Sequence, residues 1–244
     1  MKKRDTIIHT ALAGISILVI AAFGTATYFR NSIYQNDVTL WASVAKSASE
    51  KRRAHENYGQ ALSTAGLFKN ALEEFKQVIE LKDDGSVPPR DLYREIGVVY
   101  FRMGQINEAV TFWKIGLREA PNYPALLNNL SVALLSLGQN GEAMAAAELA
   151  LAADPSMLQA LTVMGQVAML KKDFNTAAQY FIRATDRDPK DPARYWAATV
   201  ALKEAKKYNQ AYAYAAKYAA MESNPVARQM ALEYLRLLEI KMRK

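Results

Sequence analysis

His9 and His55 are the chain's two imidazoles, and cysteine is absent. Without a thiol there is no disulfide, no thiolate metal site and no cysteine nucleophile. His55 stands beside Glu56. One imidazole with one carboxylate does not build a metal site, and no carboxylate pair or nucleophile accompanies it in a motif, so it reads as structural. His9 opens an apolar run; it is a proton-relay or haem-ligand candidate, or a lone side chain that snorkels to a membrane interface. Lys51-Arg52-Arg53 meets lipid phosphates or starts a solvated helix. Tyr208, Tyr212, Tyr214 and Tyr218, with Trp196 nearby, offer stacking for a sugar or base, or packing with a lateral protein contact. None of these is a catalytic constellation. The expectation is a protein that is not an enzyme, with no catalytic residue, no cofactor and no metal ion.

The chain has 244 residues, a net charge of +7 and hydrophobic residues at 51%. The positive excess is concentrated at the ends: residues 1–30 and 226–244 each carry +3, which leaves +1 for residues 31–225. Nucleic-acid binders gather charge on the folded face that docks, so no nucleic-acid partner is expected.

Lys2, Lys3 and Arg4 precede an apolar run, residues 6–29, closed by Tyr28, Phe29 and Arg30. As a helix, with ~1.5 Å per residue, such a run crosses a hydrocarbon core of ~30 Å. The alternative is a cleaved signal peptide with Gly24-Thr25-Ala26 as a weak site. Three cations before the run against one after it place the N-terminus in the cytoplasm. Residues 1–30 are thus expected to form a single-pass anchor in a bacterial inner membrane, with the rest of the chain in the periplasm.

What positions any working surface is a repeat. Gly59, Gly97, Ser131, Gly165 and Thr199 share one register, spaced 34 residues apart after a first interval that is four residues longer. Ala71, Ala109, Ala143, Ala177 and Ala211 follow twelve positions on, and Phe75, Trp113 and Phe181 four positions after that. Pro121, Pro155 and Pro189 close three units. A fixed period in this range means stacked helical hairpins. Small residues at Gly97, Ala109 and Gly116 let helices approach, while Tyr93, Tyr100 and Trp113 fill the space between them.

On these residues the chain resembles the tetratricopeptide repeat family, most specifically in the unit starting at Arg90, where Tyr93, Ile96, Gly97, Tyr100, Gly104, Ala109, Trp113, Gly116 and Pro121 match. The resemblance implies an all-α superhelical solenoid of hairpins, here preceded by one transmembrane helix. Residues 31–51 form a linking half-unit helix with Trp41 at the large position. Five units follow over 52–225 (52–85, 90–123, 124–157, 158–191 and 192–225), with Ser86-Val87-Pro88-Pro89 as an insertion. In residues 226–244 a capping helix turns Ala231, Leu235 and Leu238 inward and keeps Arg228, Glu239 and Lys244 wet. The run from Arg30-Asn31 through Leu40-Trp41 to Asn57-Tyr58-Gly59 is similar to bacterial membrane proteins in which a last transmembrane helix leads directly into such repeats.

In that family the first helices of successive units line a concave groove. Carried onto this chain, the partner-binding residues are Arg94, Val98, Phe101, Asn128, Val132, Leu135, Gln166, Met169 and Leu170. The family's chaperone-tail binders hold a terminal carboxylate with Lys, Arg and Asn. No Lys or Arg occurs from Asn122 to Leu170, which leaves Asn128 without that basic set. An apolar trough suits the hydrophobic face of a helix or an extended segment; the other reading is that these side chains pack within the fold. The expected function is a membrane-anchored scaffold that holds a protein partner and assembles an envelope complex. The alternative is an integral accessory subunit of a membrane enzyme complex such as a glycosyltransferase, respiratory or secretion machinery.

Overall fold

The computed structural model describes residues 36–81 and 90–243. The chain divides into two compact units, residues 1–88 and 89–244. In the first lie Asp37–Ser47 (α1), Arg52–Thr64 (α2) and Phe68–Glu80 (α3). The second contains Arg90–Arg102 (α4), Ile106–Glu119 (α5), Pro124–Ser136 (α6), Asn140–Ala153 (α7), Leu158–Leu170 (α8), Phe174–Arg187 (α9), Pro192–Glu204 (α10), Tyr208–Met221 (α11) and Pro225–Met242 (α12). There is no strand among the described residues. No helix of the described residues is long and apolar enough to cross a membrane. The run 6–29, with His9 and the expected anchor, lies outside the described residues, as does the Ser86-Val87-Pro88-Pro89 insertion.

The helices pair because one side chain of the second helix needs a gap in the first. A Cβ built on Gly59 would come within 2.6 Å of Phe75, and one on Gly165 within 2.6 Å of Phe181. At Gly97 the occupant is Trp113, whose indole Nε1–H also donates to the Arg94 carbonyl at 3.1 Å. Two hairpins solve the problem the other way round. Where Ala147 and Ala215 replace the aromatic ring, Ser131 and Thr199 stand at the glycine position, fully buried. Their hydroxyls donate to their own helix, Ser131 to the Asn128 carbonyl at 2.7 Å and Thr199 to the Tyr195 carbonyl at 2.8 Å. Volume is conserved across the joint, and no buried hydroxyl is left unmatched.

Each hairpin turns through a residue with positive φ: Gly66, Gly104 and Gly138 at 72 to 79°, Lys172 and Lys206 at 60°. The next residue's N–H returns to the carbonyl five residues back, as in Gln105 to Tyr100 and Asp173 to Ala168, both 2.9 Å. This double closure terminates the first helix and is most easily met by glycine. The longer joints between hairpins instead use prolines at helix starts (Pro124, Pro192, Pro225) and side-chain caps. The Asp191 carboxylate accepts from Ala193 N–H at 2.9 Å, and Asn224 Oδ1 accepts from Val226 N–H at 2.9 Å.

In the first unit α1 packs on α2, and His55 is a buried tie. Its Nδ1 lies 2.6 Å from Glu74 Oε2, not against the neighbouring Glu56, and its Nε2 lies 3.0 Å from the Ser49 carbonyl. Arg52 is buried, donating through Nε to the Leu81 carbonyl at 3.2 Å, so its side chain serves the hairpin; Lys51 and Arg53 remain exposed. In α12, Ala231, Leu235 and Leu238 are buried, but the opposite side is not polar throughout: Val226, Met230, Leu237 and Ile240 are all more than half exposed.

The two packing solutions should be interconvertible. Gly165→Ser alone is expected to cost about 1–3 kcal/mol by overpacking, and Phe181→Ala alone about 3–5 kcal/mol through its cavity. Together they should cost at least about 1 kcal/mol less than the sum, measured by chemical denaturation. At the turns, Lys172→Gly and Lys206→Gly should each stabilise the fold by up to about 1 kcal/mol, because φ near 60° disfavours a side chain; an unchanged denaturation midpoint would refute the assignment of strain there.

Candidate functional site

Within the second unit, α6 touches both α4 and α8, so the first helices of successive hairpins lie side by side. Between α6, α8 and α10 lies a cavity of about 510 Å³. Val132, Leu135 and Ser136 come from α6, Gln159, Thr162, Val163 and Gln166 from α8, and Ala193, Arg194 and Ala197 from α10; Phe181 and Ala184 close its floor. Beside it, Leu135, Gln166, Met169 and Leu170 enclose a shallower hollow of about 420 Å³. Leu170 is 62% exposed at its lip.

The charges along this face are cancelled locally. Arg194 Nη1 sits 2.9 Å from Asp188 Oδ2 and 2.6 Å from Asp191 Oδ2. Lys203 Nζ lies 2.6 Å from Glu204 Oε1, and that bond raises its pKa. Arg94 pairs with Glu95 and lies 3.8 Å from Asp91. What faces an incoming ligand is therefore aliphatic surface interrupted by neutral amides and hydroxyls. Of these, Thr162 Oγ1 donates to the Leu158 carbonyl at 3.0 Å and Ser136 Oγ to the Val132 carbonyl at 2.9 Å. The carboxamides of Gln159 and Gln166 project from the same face of α8, seven residues apart.

Five of the nine residues expected from sequence, Val132, Leu135, Gln166, Met169 and Leu170, meet in these two hollows. The other four lie outside them. Val98 and Phe101 are half-buried against the core, and the Phe101 ring lies 5.9 Å from that of Trp113. Arg94 is held by its two carboxylates. Asn128, 9% exposed, sits on α6 at the register that Thr162 holds on α8, and its Oδ1 has no hydrogen-bond partner. Arg194 and Asp191 were not anticipated. The signal for them was the acid spacing, with Asp188 and Asp191 six and three residues before the arginine.

The tyrosine-rich stretch packs inward. Trp196 has Tyr218 and Tyr234 at 5.1 and 5.0 Å between ring centroids, and Lys217 Nζ lies within 5.8 Å of the rings of Tyr195 and Tyr214. Burial raises the pKa of Tyr214 and Tyr234. Among the described residues no group of three or more His, Cys, Asp or Glu is arranged to hold a metal ion.

Models of the tetratricopeptide repeat match residues 53–84, 94–157 and 134–202. The chain belongs to the tetratricopeptide repeat family. Solved tetratricopeptide repeat structures superpose on most of it. PilW, a widely conserved type IV pilus biogenesis factor, is 20% identical with a TM-score of 0.69, over 85% of this chain and 94% of PilW. YrrB, described as having an unusual peptide-binding site, is 18% identical with a TM-score of 0.62, over 79% of this chain and 97% of YrrB. MamA from Desulfovibrio magneticus RS-1 is 18% identical with a TM-score of 0.62, over 70% of this chain and 94% of MamA. At these identities the likeness is one of fold. No curated protein matches the chain.

The orphaned Asn128 oxygen has a measurable consequence. Asn128→Leu removes a buried acceptor that no donor satisfies and should stabilise the fold by about 1–2 kcal/mol. A loss of stability in thermal or chemical denaturation would show that the amide is already paired in solution.

Proposed function

We propose that this tetratricopeptide repeat chain is a membrane-anchored scaffold that holds an uncharged, apolar segment of a protein partner in the trough across α6, α8 and α10, without a reaction of its own. The observation that carries the reading is the lining of that trough: aliphatic side chains and neutral amides, with Arg94, Arg194 and Lys203 each engaged by a neighbouring carboxylate. Such a surface rewards an apolar helix face or an extended segment whose backbone can meet Gln159 and Gln166. Within the trough the one lining cation, Arg194, is already held by two carboxylates and so is a poor clamp for a terminal carboxylate. A peptide-binding site is what YrrB is described as having, on a fold of the same kind.

The residues before the repeats support the anchor: an apolar run at 6–29, preceded by three cations and followed by one. In this reading the N-terminus lies in the cytoplasm and the repeats face the periplasm of a bacterial inner membrane. Tethering holds the trough close to membrane partners or newly translocated ones, and so raises their effective concentration. An envelope complex is the natural client.

Two measurements test the two halves of the proposal. A photo-crosslinking residue at Gln166 should capture a defined protein neighbour in intact cells. Adding Leu135→Asp with Leu170→Asp should reduce that capture at least about tenfold while circular dichroism stays unchanged; capture that survives both charges excludes the trough. Protease added to spheroplasts should digest the repeats, and protection until the membrane is opened would reverse the orientation.

A further inference from the structure

The helix α12 presents a second apolar face that is exposed among the described residues. Val226, Met230, Leu237 and Ile240 are 69, 61, 60 and 53% exposed. With Glu233 between them they step by four, three, four and three residues. That is the 3.5-residue spacing of a helix that packs lengthwise on another helix. Ala231, Leu235 and Leu238, on another side of α12, are already buried against α11. The largest apolar patch on a protein surface, typically a few hundred Å², is often a working one.

We propose that the stripe is covered by a second copy of the same chain, with the two α12 helices antiparallel about a twofold axis at Leu235. Charge selects this arrangement. In a parallel pair, or in an antiparallel pair centred one turn-fraction earlier at Glu233, the two Glu233 carboxylates would face each other inside the apolar seam. Centring at Leu235 instead sets Met230 against Ile240 of the other copy and Glu233 against Leu237. The guanidinium of Arg236 then flanks the Glu233 carboxylate, twice by symmetry. Arg236 is exposed, with no ion pair among the described residues, and the one bond to Glu233 is a long 3.4 Å contact from Gln229, so both are free to engage. The four side chains supply roughly 400 Å² a side. That total, about 800 Å², is in the range of weak, transient interfaces and implies a reversible dimer.

The test uses the full chain in detergent micelles, by sedimentation velocity from about 1 to about 100 μM. A concentration-dependent dimer is expected. Leu237→Glu should weaken it at least about thirtyfold without loss of helicity, since Leu237 is outside the core. Glu233→Arg and Arg236→Glu should each weaken it, and the two together should restore it. The chain has no native cysteine, so oxidation reports geometry directly. Met230→Cys with Ile240→Cys should give covalent dimers, and Met230→Cys alone should not, because equivalent Met230 positions would be ~15 Å apart along the helices. The proposal is overturned by a monomer at ~100 μM. It is equally overturned by a dimer that persists in Leu237→Glu, by failure of the double charge exchange to restore association, or by efficient linkage through Met230→Cys alone.

Discussion

One steric condition governs every hairpin in this chain: the first helix must leave room for a single side chain of the second. Gly59, Gly97 and Gly165 meet it by having no side chain against Phe75, Trp113 and Phe181. Ser131 and Thr199 meet it because Ala147 and Ala215 have given up the ring. The sum of the two volumes is what the joint conserves, not either residue type. A hydroxyl at the buried position would be an unmatched donor in most cores; here the helix's own carbonyl four or three residues back takes it. The interlock therefore sets how close the helices lie, and with it how each first helix is rotated toward its neighbours.

That rotation makes the trough. Once one side of α6, α8 and α10 is committed to the joint, the residues on the free side project between first helices, which is how Val132, Leu135, Thr162 and Gln166 come to share a cavity. The neutrality of the trough comes from the linkers. Asp188 and Asp191 lie in the joint between α9 and α10 and take up Arg194 at the first turn of α10, a cation that would otherwise face the cavity. Ion pairs this exposed contribute little to stability. Their effect is on what the surface can recognise.

The repeat was legible because its signals are volumes at fixed spacing, and spacing survives in one dimension. Gly104, matched in the repeat register, was legible for the same reason; the turns at Lys172 and Lys206 were not, since their closure is made by backbone hydrogen bonds that any residue can supply at a modest cost in φ. The trough was half legible. Aliphatic positions followed from the family register, whereas the pairing of Arg194 depends on the path of a linker, and the burial of Asn128 on how tightly α6 is flanked. Arg94, Val98 and Phe101 share the register of trough residues yet are taken up by the hairpin, through ion pairs and packing, which position along the repeat does not reveal. On α12 an amphipathic pattern identified the inward residues, but a single inside–outside division cannot represent a helix with two apolar stripes.

The end of a solenoid poses a problem that its interior does not have, because each helix is both a cover for the one before and a platform for the next. Glu233 lies 34 residues after Thr199, at the position where a further hairpin would require a gap. Even a Cβ at that register comes within 2.6 Å of the opposing ring at Gly59 and Gly165, and a carboxylate there is bulkier than Ser131 or Thr199 and would have to be buried with its charge, which disfavours a second helix at that distance. Gln229 and Arg236, exposed on the same side, add to this by making that face polar. A further hairpin packed through this register is thus disfavoured at α12. The apolar residues beside Glu233 are not explained by capping, since a cap needs only water on its outer side. A helix that is ill suited to a further hairpin and still exposes Met230 and Leu237 is shaped for a lengthwise neighbour that approaches at a different angle, with a cation to offer the carboxylate.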